Sequence, residues 1–406
     1  MGATSAFFAG SSKPIPTCSA TFLRNATSSF NSLYTSATFL LVQPSQKRIR
    51  SSGACCFLSQ VVRNRRNAWA PAFGWPSAVR HSLSFDPDCV FVLGDTKIES
   101  EHAPCWRLSG SDWCGALALD GIEPAQVWTA KWPIGSMVSA ALAAAEAFKF
   151  AMRRLPLRAV TDRVFFELSP FCNWKFDPIS IPEAGLRFGE VDIISAGAIS
   201  QAALYVLMRL PNVQMSGRIF DDDLTGPSNL NRNMLTLVSD VGLEKVTVVA
   251  RNCGPNLRIQ GIPERFVGKA SQLEGLASRI LVGVDDIPSR WRVQRCAPLW
   301  LAVSATSHFS VSSSGHRLDQ PCCGCLHPID EPGEINSIPT VSFVSLWAGF
   351  AMAVRLIREG LGVSDSRDRQ HLWLTPLRMD HVHAAMWLPV APRRDCPVKC
   401  SAARAV

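Results

Sequence analysis

Asp221-Asp222-Asp223-Leu224-Thr225-Gly226-Pro227-Ser228-Asn229-Leu230-Asn231-Arg232 is the stretch whose reading decides the fold. It gathers carboxylates, amides and a guanidinium directly behind the apolar run Gln214 to Phe220. Carboxylates at the end of a second strand are where doubly wound α/β folds hold a ribose. The same residues also fit an acidic turn, with Ser228 or Asn229 capping a helix from Leu230 onward.

The residues on the N-terminal side complete half of such a unit. Gly189-Glu-Val-Asp-Ile-Ile-Ser195-Ala-Gly197-Ala-Ile-Ser200 leads into Gln201-Ala-Ala-Leu-Tyr-Val-Leu-Met-Arg-Leu210. An apolar strand, a small-residue turn and an apolar helix predict the start of a nucleotide-binding βαβ unit. Small residues are needed there because backbone N–H groups at the helix start must approach a phosphate. Only the middle glycine, Gly197, stands in the turn, with Ser195 and Ser200 at the outer places. By itself this is a weak signal.

Taken together the residues are more specific. Asp221-x-Asp223, Ser228-Asn229-Leu-Asn-Arg232 and Val241-Gly242-Leu-Glu-Lys245 resemble the ThiF/MoeB family, relatives of the ubiquitin-activating enzymes. The resemblance implies an α/β fold, a Rossmann-like sheet flanked by helices. By position it assigns Asp223 to the ribose of ATP, and Asn229, Arg232 and Lys245 to its phosphates, beside the turn at Gly197. It also implies ATP-dependent adenylylation of the C-terminal carboxylate of a ubiquitin-like or sulfur-carrier protein, by an enzyme that is commonly a homodimer.

Further along, Arg279-Ile-Leu-Val-Gly-Val-Asp285-Asp286-Ile-Pro-Ser-Arg290 resembles the family's strand ending in Asp-x-x-Asp. Asp285 takes the second acidic place and Val282 occupies the first, so Asp285 and Asp286 are the carboxylates left for Mg2+. Pro321-Cys322-Cys-Gly-Cys325-Leu-His327 resembles the family's first zinc knuckle. With Cys396 and Cys400, two thiolate pairs complete a tetrahedral Zn2+ site if the segments meet. Cys323 or His327 can substitute, and ordinary reduced cysteines are the alternative. Catalysis is expected from Arg232, Lys245 and Asp285. Attack by a carboxylate needs little acid or base chemistry, but it does need a cationic clamp between two anions.

The rest of the chain sets bounds. With 406 residues there is room for two or three domains. We expect a leader at 1–85, an accessory α/β wing at 86–185 and the ATP-binding domain at 186–400. The leader carries nine Lys and Arg and no acid, and the whole chain carries +8. The body is therefore close to neutral, which argues against a nucleic-acid surface. The leader reads as a transit segment, a disordered extension or a start placed too far upstream. A cytoplasmic protein is expected, or an organellar one if the transit reading holds. No apolar run reaches the roughly 18 uncharged residues of a membrane span, so a soluble protein is expected.

Several elements are predicted outside the motifs. They are a strand at Cys89 to Leu93, a helix at Met137 to Met152, a strand at Pro298 to Thr306 and a helix at Ser342 to Gly360. Phe171 to Gly185, with Pro178 and Pro182, reads as an irregular boundary. Cys253, Cys296 and Cys323 stand in no nucleophile motif, and His308, His316, His371, His381 and His383 show no metal spacing. A scaffold subunit that has lost catalysis is the rival reading, motivated by Ser195, Ser200 and Val282. A nicotinamide-dependent oxidoreductase has no evident need of Asn229-Leu-Asn-Arg232.

Overall fold

The run that ends at Asp221 is an inner strand of an eight-stranded sheet in a computed structural model of the chain. The structure describes residues 7–8, 39–42, 89–93, 103–122, 132–153, 166–329, 341–363 and 370–404. The chain divides into two compact units, one of Met1–Pro178 with Leu377–Val382, the other of Ile179–Pro376 with His383–Val406.

The first unit holds a six-stranded sheet in sequential order. Its strands are β1 (Phe7–Phe8), β2 (Phe39–Val42), β3 (Cys89–Leu93), β4 (Cys105–Gly110), β5 (Cys114–Leu119) and β6 (Phe171–Lys175). Strands β1 to β4 pair in parallel, whereas β4, β5 and β6 pair antiparallel. Of the predicted leader only β1 and β2 are described; its reading as transit-like or disordered otherwise lies outside the described residues. β6 corrects the irregular boundary expected from Phe171. Five residues there alternate exposed and covered side chains against β5, and the prolines act only after the strand has ended.

Helix α1 (Ile134–Arg153) covers the predicted Ala-rich segment and starts three residues earlier. Ala and Leu favour the helix, and small side chains let it lie close on β4, β5 and β6. It is long and apolar enough to cross a membrane, but 94% of its apolar window is buried inside the protein. Two of its three charged residues, Glu146 and Lys149, are buried too and satisfy one another at 2.6 Å, while Arg153 in the last turn is exposed. Ser169 completes the cluster, accepting from Lys149 Nζ at 2.7 Å and donating its N–H to Glu146 at 2.9 Å.

In the second unit, β7 (Arg187–Ile194) is followed by α2 (Ala198–Arg209), β8 (Gln214–Phe220), α3 (Lys245–Asn252) and β9 (Leu257–Ile262). Then come β10 (Arg279–Val282), α4 (Ile287–Arg295), β11 (Trp300–Ser307), β12 (Ser310–Arg317), α5 (Cys323–Leu326) and α6 (Ser342–Gly360). β13 (Gln370–Leu374), β14 (Ala385–Pro389) and α7 (Ser401–Arg404) close the chain. The parallel strands stand in the order β9-β8-β7-β10-β11, the doubly wound arrangement. From β11 the sheet continues antiparallel through β12, β13 and β14, an extension that the sequence motifs did not indicate.

Chain order reverses between β7 and β10, and the crevice outside the carboxyl ends at that point is where such sheets bind ligands. The two strands are paired in register from Arg279 opposite Val191 to Val282 opposite Ile194. Their ends therefore deliver the Ser195 turn and the Gly283 to Asp286 loop side by side. Beneath them Ile194, Phe220, Phe266, Ile280, Val282, Leu301 and Val303 form one buried cluster. Deleting a side chain such as Phe220 from it is expected to cost about 3–5 kcal/mol. That rigidity is what fixes the loops above.

Candidate functional site

The tight turn after β7 falls at the first of the three small-residue places, where a glycine usually stands. Ser195, not Gly197, takes the left-handed backbone, at φ 86°, and Gly197 sits at an ordinary φ of −75°. A side chain in that region costs roughly 1–2 kcal/mol. Hydrogen bonds offset it: Ser195 Oγ donates to Asp221 at 3.3 Å and accepts from the Gly197 N–H at 3.1 Å. The third place is resolved differently. Ser200 approaches β10 where Gly283 has no side chain, and a Cβ at Gly283 would lie 2.7 Å from Ser200 Oγ. The close approach normally allowed by a helix glycine is here allowed by the strand partner.

Asp221, which the sequence reading grouped with its neighbours but gave no role, locks this turn. Its Oδ2 accepts from the Ala196 N–H at 2.7 Å and its Oδ1 from the Asp223 N–H at 2.9 Å. The carboxylate thus takes a backbone donor at the start of α2, the kind that anion sites use.

Asp223 and Lys245, assigned by resemblance to ribose and phosphate, meet each other. Lys245 Nζ lies 2.5 Å from Asp223 Oδ2, and the Lys245 N–H donates to the Asp223 carbonyl at 3.0 Å. Lys245 opens α3, while the Asp223 side chain is 66% exposed. A ligand phosphate can therefore compete for the ammonium without opening a buried pair.

Asn229 does not cap a following helix. It closes a single 3-10 turn, Pro227–Asn229, by accepting from the Gly226 N–H at 2.8 Å. The irregular chain beyond it presents Arg232, whose Nη1 donates to the Ser228 carbonyl at 2.6 Å and to Asn231 at 3.0 Å. Among the described residues its Nε and Nη2 have no partner, which leaves one face of the guanidinium for an anion. Burial lowers the pKa of Arg232, and the negative charge of Asp285 acts against that shift.

Three buried atoms here have no hydrogen-bond partner: Asn233 Nδ2, next to Arg232, Thr225 Oγ1, and Ser200 Oγ, in the first turn of α2. Such orphans also occur away from the site, as at Ser136 on α1 and Ser345 on α6, and those beside Arg232 are compatible with a polar ligand. ATP thus suits the residues present. Mg2+ is more narrowly served. Val282 is fully buried within the core cluster, so the first acidic place is given over to packing. Asp286 caps α4 by accepting from the Ser289 N–H at 2.8 Å. The Asp285 carboxylate is exposed and accepts no hydrogen bond among the described residues, which makes it the loop's available oxygen ligand. Arg290, itself buried, donates to the Val284 and Asp285 carbonyls and so holds that loop in place.

The four cysteines named from spacing do converge. The Sγ atoms of Cys322, Cys325, Cys396 and Cys400 all lie within 4.8 Å of one another. Cys322 is 3.4 Å from Cys396, and Cys325 is 3.6 Å from Cys400. Gly324 permits the approach, since a Cβ there would meet Val398 Cγ2 at 2.7 Å and Cys396 Sγ at 3.1 Å. Burial raises the thiol of Cys396, but N–H groups of Cys400 and Val398 and the thiols of Cys322 and Cys325 outweigh it, leaving the pKa lowered. Four convergent sulfurs with N–H donors match the donor set of a structural zinc site. Cys323 and His327 are not needed: Cys323 Sγ donates to the Arg290 carbonyl at 3.4 Å, and His327 stands outside the cluster.

The other thiols and imidazoles singled out in the sequence are set by burial and local bonds. Burial pushes Cys253 and Cys323 up to about 12 and raises Cys296 as well, so none is a ready thiolate. His316 bonds Ser314 at 2.9 Å and the Pro321 carbonyl at 2.9 Å, and His371 bonds Ser312 at 2.7 Å. Burial lowers both histidines to about 4, so they are neutral parts of the antiparallel extension. A shallow groove lined by Ala250, Cys253, Pro255 and Arg258 lies along β9, and Asp223, Asn229, Arg232, Lys245 and Asp285 are not among its lining residues.

No family model matches the chain. It is 25% identical over 156 residues to the uncharacterized protein y4jF of Sinorhizobium fredii, and this covers 37% of the chain and 29% of that protein. The chain thus spans less than a third of the length of that relative. It is 24% identical over 225 residues to the SAMP-activating enzyme E1 of Haloferax volcanii, covering 52% of the chain and 81% of that enzyme. Among solved structures, E. coli MccB with ATP aligns at a TM-score of 0.43 and 13% identity, over 72% of this chain and 97% of MccB. PaaA aligns at 0.40 and 16%, over 50% and 64%. These scores lend nothing to the fold described above. The sequence similarity to an E1-type activating enzyme agrees in kind with the motifs at Asp221 to Lys245.

Proposed function

We propose that this protein adenylylates the C-terminal carboxylate of a ubiquitin-like or sulfur-carrier protein. The observation that supports the reading is the placement of the Ser195 to Gly197 turn and the Asp285 loop at the ends of β7 and β10, where chain order reverses, with Asp221 of the next strand end bonding that turn and Lys245 paired with Asp223. Arg232 is placed with them by the resemblance. A carboxylate oxygen of the carrier attacks the α-phosphorus of ATP; the new O–P bond forms as the bond to the β-phosphate oxygen breaks, and pyrophosphate leaves. No proton transfer is required. Arg232 and Lys245 reduce the repulsion between the two anions, which is the main barrier that binding can lower. Mg2+, held through Asp285, would supply further neutralisation of phosphate charge. Homodimerisation belongs to the same proposal.

ATP–pyrophosphate exchange with a candidate carrier tests the reading. Arg232→Ala is expected to reduce exchange by about 10²-fold or more, and full exchange in that variant would sink the assignment. Zinc is proposed at Cys322, Cys325, Cys396 and Cys400 as a structural ion that ties the C-terminal segment to α5. Metal analysis of the purified chain is expected to give one zinc per chain, and Cys396→Ser to lose it. Equal zinc content in the two proteins would refute the site.

A second reading, a scaffold subunit without catalysis, is favoured by the burial of Val282 and by Asp221 bonding the Ala196 N–H. Calorimetry with magnesium-ATP separates the two, because the scaffold binds none.

A further inference from the structure

Gln201 is a lone amide in the otherwise apolar or small-residue stretch Ala198 to Leu207, and it is fully buried. Its whole side chain is engaged between two loops of the candidate site. Nε2 donates to the Ala196 carbonyl at 2.9 Å. Oε1 accepts from the Leu235 N–H at 3.0 Å and from Thr236 Oγ1 at 3.1 Å. The Ala196 peptide is thereby held at both ends, since its N–H is already bonded to Asp221. Leu235 is held at both ends as well, because its carbonyl accepts from Asn252 Nδ2 at 2.7 Å. Asn252 is the last residue of α3, the helix that Lys245 opens.

One buried amide therefore connects the turn before α2 to the chain just beyond Arg232, and that chain is fixed in turn to the Lys245 helix. Neither loop has a regular element to hold it, since residues 230–237 form no helix or strand. We propose that Gln201 is a positioning residue for adenylyl transfer. It sets the distance between the turn and the Arg232 guanidinium, so that the phosphates are clamped in line with the incoming carboxylate. The inference rests on the function proposed above. Its physical warrant is that misplacing a reacting group by about 1 Å can cost about 10²-fold in rate. Were these three bonds structural alone, their loss would lower stability and leave the rate of the folded protein unchanged.

The test is ATP–pyrophosphate exchange by the full chain in the presence of the candidate carrier, run beside calorimetric binding of magnesium-ATP and thermal melting. Gln201→Leu removes all three bonds at similar volume. Thr236→Val removes one of them and keeps the fold if Gln201→Leu does not fold. Gln201→Glu retains the acceptor for Leu235 and sets a carboxylate against the Ala196 carbonyl. We expect kcat for exchange to fall about 10²-fold in Gln201→Leu and less in Thr236→Val. The Kd for magnesium-ATP should change by less than about threefold, and Gln201→Glu should not rescue. Loss confined to Kd, or exchange that is unchanged at temperatures where the variants stay folded, overturns the inference. Wild-type protein that shows no exchange overturns the function itself, an outcome that the variants cannot mimic.

Discussion

Two lysine–carboxylate pairs in this chain have nearly the same length and opposite character. Glu146 and Lys149 lie 2.6 Å apart on α1 with side chains 3% and 0% exposed, whereas Asp223 and Lys245 lie 2.5 Å apart with side chains 66% and 11% exposed. The first pair is closed: Ser169 contributes both its N–H and its hydroxyl, and Trp106 bonds the Ser169 carbonyl at 3.1 Å. Burial raises the pKa of Glu146, and the charge and hydrogen bonds of Lys149 oppose it. The second pair is open to solvent on its acidic side. Contact distance alone therefore does not separate a structural pair from one that can exchange its partner, but access to water does. A buried pair must keep its partner because separation strands a charge, while an exposed carboxylate can be replaced by a phosphate oxygen.

Breaking the closed pair should give the largest effect. Glu146→Ala leaves Lys149 buried without its counter-charge, and we expect a loss of about 3–5 kcal/mol of stability. Denaturant unfolding followed through the tryptophans of the first unit, Trp106 among them, reads it. A loss below about 1 kcal/mol would mean that the pair is not buried in solution.

Replacing both partners sharpens the point. Glu146→Ala with Lys149→Met removes the stranded charge and fills its space with a flexible apolar chain. Most of the loss should return, leaving a deficit of roughly 1–2 kcal/mol from the unmatched Ser169 groups. If the double variant is no better than the single one, the fault lies in packing and not in charge.

The sequence was informative wherever a residue's chemistry is local. The strand Gln214 to Phe220, the helix Ser342 to Gly360 and the joint spacing of Asp223, Arg232 and Lys245 are all visible as pattern. The meeting of Cys322 and Cys325 with Cys396 and Cys400 was anticipated as chemistry, although nothing local shows that segments about seventy residues apart converge. Other features depend on pairing partners that no local pattern reveals. β6 is masked by the prolines that follow it, and β12 by a run of serines that bury their hydroxyls on His316, on Arg355 and on Ser304 of β11. Gln201 and Asp221 carry the connections of the candidate site, yet each contributes through carbonyls and N–H groups of distant residues. A lone amide in an apolar helix was the available sign of Gln201. The left-handed backbone at Ser195, where the fingerprint has its first glycine, is held by Asp221, a compensation that exists only after β7 and β8 have paired.

The open pair is where stability and function should part most clearly. Asp223→Asn removes a charge whose carboxylate is largely in water, and exposed ion pairs contribute about 0–1 kcal/mol. The hydrogen bond from the Lys245 N–H to the Asp223 carbonyl is untouched by that change, so the start of α3 keeps its place. We therefore expect a stability loss under about 1 kcal/mol, the smallest among these variants. If Asp223 contacts the ribose as the resemblance implies, the Kd for magnesium-ATP should nevertheless rise by about tenfold or more, the scale of one charge-assisted hydrogen bond. Lys245→Met should weaken binding too, through the phosphates. A double variant that binds no worse than either single one would show that the two residues serve one contact. Additive losses would show that each meets its own part of the nucleotide, and that the pair seen here must separate on binding.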